Sequence, residues 1–181
     1  MEKQINSVLN FWFKSCEPKD WFKKDEYFDS EVKNNFGDLV EDALFGYLNS
    51  WHRTLDGCIA FIILTDQFTR NIFRGTPRSF SGDKLALKTC LHFLGTFDIR
   101  QQNRVCSHFI LIPLMHSENL TIQERSLPLF QNHTSEEVYK YALQHKKIIA
   151  RFGRFPHRNA ILGRTSTDAE VQFLKGPGSS F

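Results

Sequence analysis

TSEEVYKYALQHKKIIARFG, residues 134–153, has the pattern of a single amphipathic helix. Val138, Tyr141, Ala142, His145, Ile148, Ile149 and Phe152 recur at the spacing of one buried stripe, while Lys140, Gln144, Lys147 and Arg151 fall on the opposite, solvated face. Thr134 with Glu137 fits a reciprocal cap at the start, and Gly153 supplies the left-handed residue that often ends a helix. The spacing predicts a helix over 135–152. His145 sits mid-stripe, where an imidazole needs a hydrogen-bond partner or gives up proton affinity, so it reads either as a satisfied core histidine or as part of a site.

The same periodicity spreads outward from this segment. Helices are predicted over 3–14, 25–48, 55–73, 82–95, 100–116, 120–131 and 167–174, joined by short polar connections, with no sustained period-two alternation. The reading is an all-α protein of stacked antiparallel helical hairpins. Residues 1–175 are expected to form one helical domain, with GPGSSF (176–181) as a flexible tail. Pro113 should kink or end the helix over 100–116 and free carbonyls near His116 and Glu118.

Composition fits one core: 181 residues, 41% hydrophobic, with 18 phenylalanines. A net charge of +3 is far below what tracking a nucleic-acid backbone over many phosphates requires. Cys16, Cys58, Cys90 and Cys106 form no CxxC pair and lie among apolar neighbours, which favours reduced thiols and a cytoplasmic protein. The start, MEKQINSVLNFWF, is too short an apolar stretch for a signal peptide, and no run approaches the 18 apolar residues of a membrane span. No membrane partner is expected, and no feature sets an oligomeric state.

Charge is distributed unevenly. Seven of the eleven arginines sit in two windows, TRNIFRGTPR (69–78) and RFGRFPHRNAILGR (151–164), and neither window holds an acidic residue or a lysine. Guanidinium groups bind carboxylate or phosphate as a planar fork and stack on rings, which Phe68, Phe73, Phe152 and Phe155 supply. Along helix 55–73 the face that carries Ile59 and Ile63 becomes, two turns later, the face of Asp66, Arg70 and Arg74, with Gln67 and Asn71 beside it. Such a stripe runs from packed core into a groove. A solvated pair of Asp66 with Arg70 would instead be worth only a few tenths of a kcal/mol. Pro156 is expected to open a short helix over 157–162 whose free N–H groups attract negative charge. Arg151, on a solvated stripe, is the member of its window least suited to a site.

Three stretches, TDQFTRNIFRGTPRSF (65–80), IPLMHSENLTIQERS (112–126) and RFGRFPHRNAILGRTST (151–167), together with VLNFWF (8–13), Trp21 and Phe22, resemble the bacterial family of domain of unknown function 924 over essentially the whole chain. The resemblance implies an all-helical fold similar to tetratricopeptide-repeat hairpins and no established activity. Its motif residues here are Asp66, Gln67, Arg70, Asn71 and Arg74, then His116, Ser117 and Glu118, then Arg154, His157, Arg158, Asn159 and Arg164. Thr69 stands where the family has proline, which implies a smoother run of helix through that turn.

Three functional readings follow. Convergent arginines at Arg70, Arg74, Arg154 and Arg158 would grip an anionic small molecule or a peptide or protein carboxylate. An enzyme acting on such an anion would use His116 or His157 as proton carrier, with Glu118 or Asp66 as orienting carboxylate. Arginine beside phenylalanine also fits RNA, a partner the modest net charge disfavours. The string His116-Ser117-Glu118 lacks the PCxxC ligands of a zinc deaminase, and neither HExxH nor a glycine-rich phosphate loop occurs, so no metal or cofactor is expected.

Overall fold

The computed structural model describes residues 1–179, and these hold helices and turns but no strand. The last two residues of the tail expected over 176–181 lie outside that range. The helices are α1 (Glu2–Asn10), α2 (Glu26–Leu44), α3 (Leu55–Ile62), α4 (Thr69–Ile72), α5 (Asp83–Thr96), α6 (Arg104–Met115), α7 (Leu120–His133), α8 (Glu136–Phe152) and α9 (Asp168–Leu174). The all-α reading holds. No helix among the described residues is long and apolar enough to cross a membrane.

The organising element is the rod made of α3, a π-helical segment Ile63–Phe68 and α4. Every residue from 57 to 69 on it is buried. GCIAFIILTDQF is apolar nearly all round, so the rod has no solvent face to offer and becomes the centre of the molecule. α1, α5 and α6 pack on α3, α2 packs on the π segment and α4, and α7 and α8 extend the stack from α6. Trp12, Trp51, Phe61, Phe68, Phe93, Phe109 and Phe130 fill the main core. Ile148, Ile149 and Phe155 form a smaller cluster with Phe152 and Phe173. A two-residue connection between α7 and α8, which pack together, makes that pair an antiparallel hairpin.

Several boundaries differ from the sequence expectation for identifiable reasons. α8 starts on Ser135, whose hydroxyl accepts from Val138 N, because the Thr134 hydroxyl is drawn back to the Phe130 carbonyl. The reciprocal cap occurs instead at α9, between Thr167 and Glu170. Gly153 ends α8 with φ of 68°, as its position implies. Tyr141 is 45% exposed, so the buried stripe of α8 is narrower than its apolar pattern. Pro113 lies two residues before the end of α6, and the residues expected at the start of that helix form a separate 3-10 turn, Ile99–Gln101. The helix expected over 3–14 closes in a π turn, Phe11–Ser15.

Candidate functional site

The π segment begins where threonines compete for backbone carbonyls. The Thr65 hydroxyl donates to the Phe61 carbonyl at 2.7 Å and the Thr69 hydroxyl to the Thr65 carbonyl at 2.9 Å, back-bonds that loosen the α-helical ladder. The Asp66 carbonyl accepts from Arg70 Nη1. Thr69 therefore does not give the smooth run expected of it: the rod is continuous but widened at this turn. The widening keeps Asp66 wholly buried and fixes where Arg70 points.

Asp66 is saturated from within. Its Oδ1 lies 2.8 Å from His116 Nδ1, its Oδ2 accepts from Gln67 Nε2 at 2.5 Å, and Arg70 Nη1 is 3.4 Å from Oδ1. The pair with Arg70 is thus a buried ion pair and not the solvated one that helical spacing alone would suggest. Burial would raise the Asp66 carboxyl, but Arg70 and His116 hold it well below the usual carboxylate range. Burial pushes the His116 imidazole down, an effect Asp66 opposes and the Arg70 and Arg158 charges reinforce, and the net direction is downward. At neutral pH an ionised Asp66 can only accept, so a neutral His116 carries its proton on Nδ1 and keeps a lone pair on Nε2. The His116 side chain retains 14% of its surface.

Arg70 continues to Asp83, the first residue of α5: its Nη2 lies 2.9 Å from Oδ1. Arg158, from the second arginine window, donates through Nη1 to the other oxygen of the same carboxylate at 3.0 Å. Its guanidinium lies between the Phe155 and Phe80 rings, 4.6 and 4.7 Å from their centroids, an orientation that favours the cation and restricts its rotation. Arg158 is only 6% exposed, and its Nε is buried without a hydrogen-bond partner. Burial pulls its proton affinity down, but a guanidinium stays charged.

These contacts close on themselves. From Phe155 the path runs to the His145 ring at 5.5 Å and from His145 back to the His116 ring at 6.3 Å. His116, Asp66, Arg70, Asp83, Arg158, Phe155 and His145 therefore form one circuit drawn from five parts of the chain. His145 Nδ1 bonds the Tyr141 carbonyl at 2.8 Å, and burial lowers its pKa to about 3. His157, with its ring 5.6 Å from Phe155, is lowered by burial to about 4.

A second assembly fixes the Phe155 end. Glu118 accepts both Arg164 nitrogens, at 2.8 and 3.0 Å, and the Phe155 amide at 2.8 Å, while Arg164 Nη2 also donates to the Phe155 carbonyl at 3.2 Å. The expected helix over 157–162 shrinks to one 3-10 turn, Pro156–Arg158, because the chain then bends into turns toward Arg164.

The structure brings Asp66, Gln67, Arg70, His116, His145, His157 and Arg158 together, with Glu118 and Arg164 alongside as a clamp. It sends the others elsewhere. Arg74 forks onto Asp29 at 2.5 and 2.8 Å, and Asn71 donates to the same carboxylate at 2.7 Å. Arg154 forks onto Glu170 at 2.6 and 2.7 Å, and Asn159 donates to Ser166 Oγ at 3.0 Å. Arg151 lies outside against Phe152. Asp83 and Phe80 carry the junction but do not stand out in the sequence. An acidic residue at a helix start is ordinary, and only Gly82 just before it hints at a close approach.

The family model for bacterial proteins of unknown function DUF924 matches residues 8–178. No match was found among curated proteins. A solved structure of a protein of unknown function from Agrobacterium tumefaciens is similar along nearly its whole length. The TM-score is 0.91 and the identity 32%, over 97% of this chain and 99% of that one. The three motif stretches, the helical architecture and the whole-chain match agree, and the chain belongs to the DUF924 family of bacterial proteins.

Proposed function

We propose that this protein recognises an anionic group, carboxylate or phosphate, on a small metabolite or on a peptide or protein partner, where Arg70 and Arg158 meet. The carrying observation is that guanidinium groups from both arginine windows close on one carboxylate, Asp83, and that Arg158 still has an unspent buried Nε donor. Asp83 balances the two cations, and the Phe80 and Phe155 rings hold Arg158 in place, so little orientation is lost on binding. Arg70 and Arg158 are the residues this reading needs. Arg74 and Arg154 serve as ties to Asp29 and Glu170.

The test is thermal unfolding in the presence of a panel of phosphorylated and carboxylated metabolites. A ligand at a hundred times its Kd adds about 2.7 kcal/mol to stability. At least one anion is expected to raise the Tm of the wild type, and about half of that gain should be lost in Arg158→Lys, which keeps the charge but not the fork. A panel without effect on a folded wild type discards the reading.

A second reading, an enzyme acting on the same anion, is favoured by the Asp66–His116 pair, in which a buried carboxylate orients an imidazole that keeps a lone pair. Turnover of a panel member, lost in His116→Gln without loss of binding, would separate catalysis from recognition.

A further inference from the structure

We propose that the anion taken by this site carries its own O–H donor, a protonated oxyanion of the hydrogen-phosphate type, and that His116 Nε2 accepts that hydrogen. The inference rests on the anion reading above and narrows its ligand class.

The circuit offers two kinds of polar atom. Its donors are guanidinium nitrogens, and they attract negative oxygen without asking whether the ligand is protonated. Its carboxylates are set against charges from within: both Asp66 oxygens face internal donors, Asp83 Oδ2 accepts from Arg158, and Asp83 Oδ1 is ion-paired with Arg70 Nη2 at 2.9 Å while buried without a hydrogen bond. His116 differs, because Asp66 takes its Nδ1 hydrogen and the neighbouring cations Arg70 and Arg158 oppose a second proton on the ring. A ring so held presents Nε2 as an acceptor. An oxyanion with no hydrogen would set oxygen lone pairs against the nitrogen lone pair, whereas one bearing O–H completes a bond. A site built around such a bond discriminates strongly against the analogue that lacks it, since the polar group is then left unpaired.

Asp66 is a positioning residue in this scheme, and its direction is itself enforced. Gln67 donates to Asp66 Oδ2, so an asparagine at 66 satisfies Gln67 with its single oxygen and turns its NH2 toward His116. That reverses the ring: Nδ1 becomes the acceptor and Nε2 carries the hydrogen.

Inorganic phosphate and sulfate separate the possibilities. At about pH 8 both are tetrahedral dianions of similar size, but phosphate keeps one O–H and sulfate none. Calorimetry at matched ionic strength is expected to give phosphate at least a tenfold lower Kd than sulfate with the wild type, about 1.4 kcal/mol. In Asp66→Asn, checked for folding by circular dichroism, the preference should vanish or reverse. Equal binding of the two ions by the wild type overturns the acceptor role and leaves anion recognition standing. Binding of neither ion overturns this proposal, and the metabolite panel then decides anion recognition on its own. If Asp66→Asn does not fold, nitrogen-15 NMR of the wild-type histidines decides: hydrogen on His116 Nδ1 supports the proposal, and hydrogen on Nε2 overturns it.

Discussion

A methyl group on Gly82 would lie 2.0 Å from the carbonyl oxygen of Thr65. The start of α5 can approach the π segment only because position 82 has no side chain, and that approach sets Asp83 against Arg70. The backbone at Gly82, φ of −89°, would suit any residue, so the constraint is purely steric. Gly82→Ala is expected to cost about 1–3 kcal/mol through overpacking. Differential scanning calorimetry should show Tm lowered by roughly 2–10 °C.

Asp83 separates two cations, and its removal should be felt most at Arg158, which would be left buried without a carboxylate. Asp83→Ala is expected to cost about 3–5 kcal/mol, the usual penalty for orphaning a buried charge. The double variant Asp83→Leu with Arg158→Leu should recover much of that loss in urea unfolding, since it removes the pair and not one partner.

Stability should fall on mild acidification. Burial, chiefly, lowers His108 to about 4, His145 to about 3 and His157 to about 4. The unfolded chain protonates these rings near an ordinary pKa of about 6.5, while the folded chain resists until pH 3 to 4. Protons therefore favour the unfolded state through that window. Each ring contributes a slope approaching 1.4 kcal/mol per pH unit. Tm measured from pH 7 down to pH 5 should decrease steadily, and His145→Gln should flatten the profile.

Glu118 ties the Phe155 backbone to Arg164, so Glu118→Ala should loosen that turn without unfolding the core. Hydrogen exchange at the Phe155 amide is expected to accelerate by one to two orders of magnitude, equivalent to roughly 1.4–2.8 kcal/mol of lost local protection, while amides of α3 keep theirs.

Arg74 provides the control for ligand binding. It pairs with Asp29 at the surface, with 36% of its side chain exposed. Arg74→Ala should leave phosphate affinity unchanged, whereas Arg158→Lys should weaken it by roughly tenfold, the worth of one charged hydrogen bond.

How much of this was legible depends on the range of the interaction involved. α8 is encoded locally, by a stripe and a terminal glycine, and its extent follows from the sequence to within one residue, although its capping residue does not. The meeting of Arg70 with Arg158 is foreshadowed by two clusters of one cation. Their carboxylate partners are not, because Asp29, Asp83 and Glu170 lie far along the chain in settings where an acidic residue is unremarkable. The π segment escapes a periodicity analysis because its apolar residues surround the rod and mark no face. The split of the arginines into a central group and peripheral ties depends on which carboxylate each helix end brings near, and that is set by packing.

The widened turn at Ile63–Phe68 also fixes a phase. Were the same residues wound as ordinary α-helix, with none removed, the turn would hold one residue too many and every later position would rotate by about 100° relative to the residues before it. Arg70 would then turn away from Asp83 while the upstream apolar face kept its packing. A turn tightened in this way would leave the α3 core filled yet take the circuit apart, so the widening between the buried helix and its arginine is as much a part of the site as the side chains themselves.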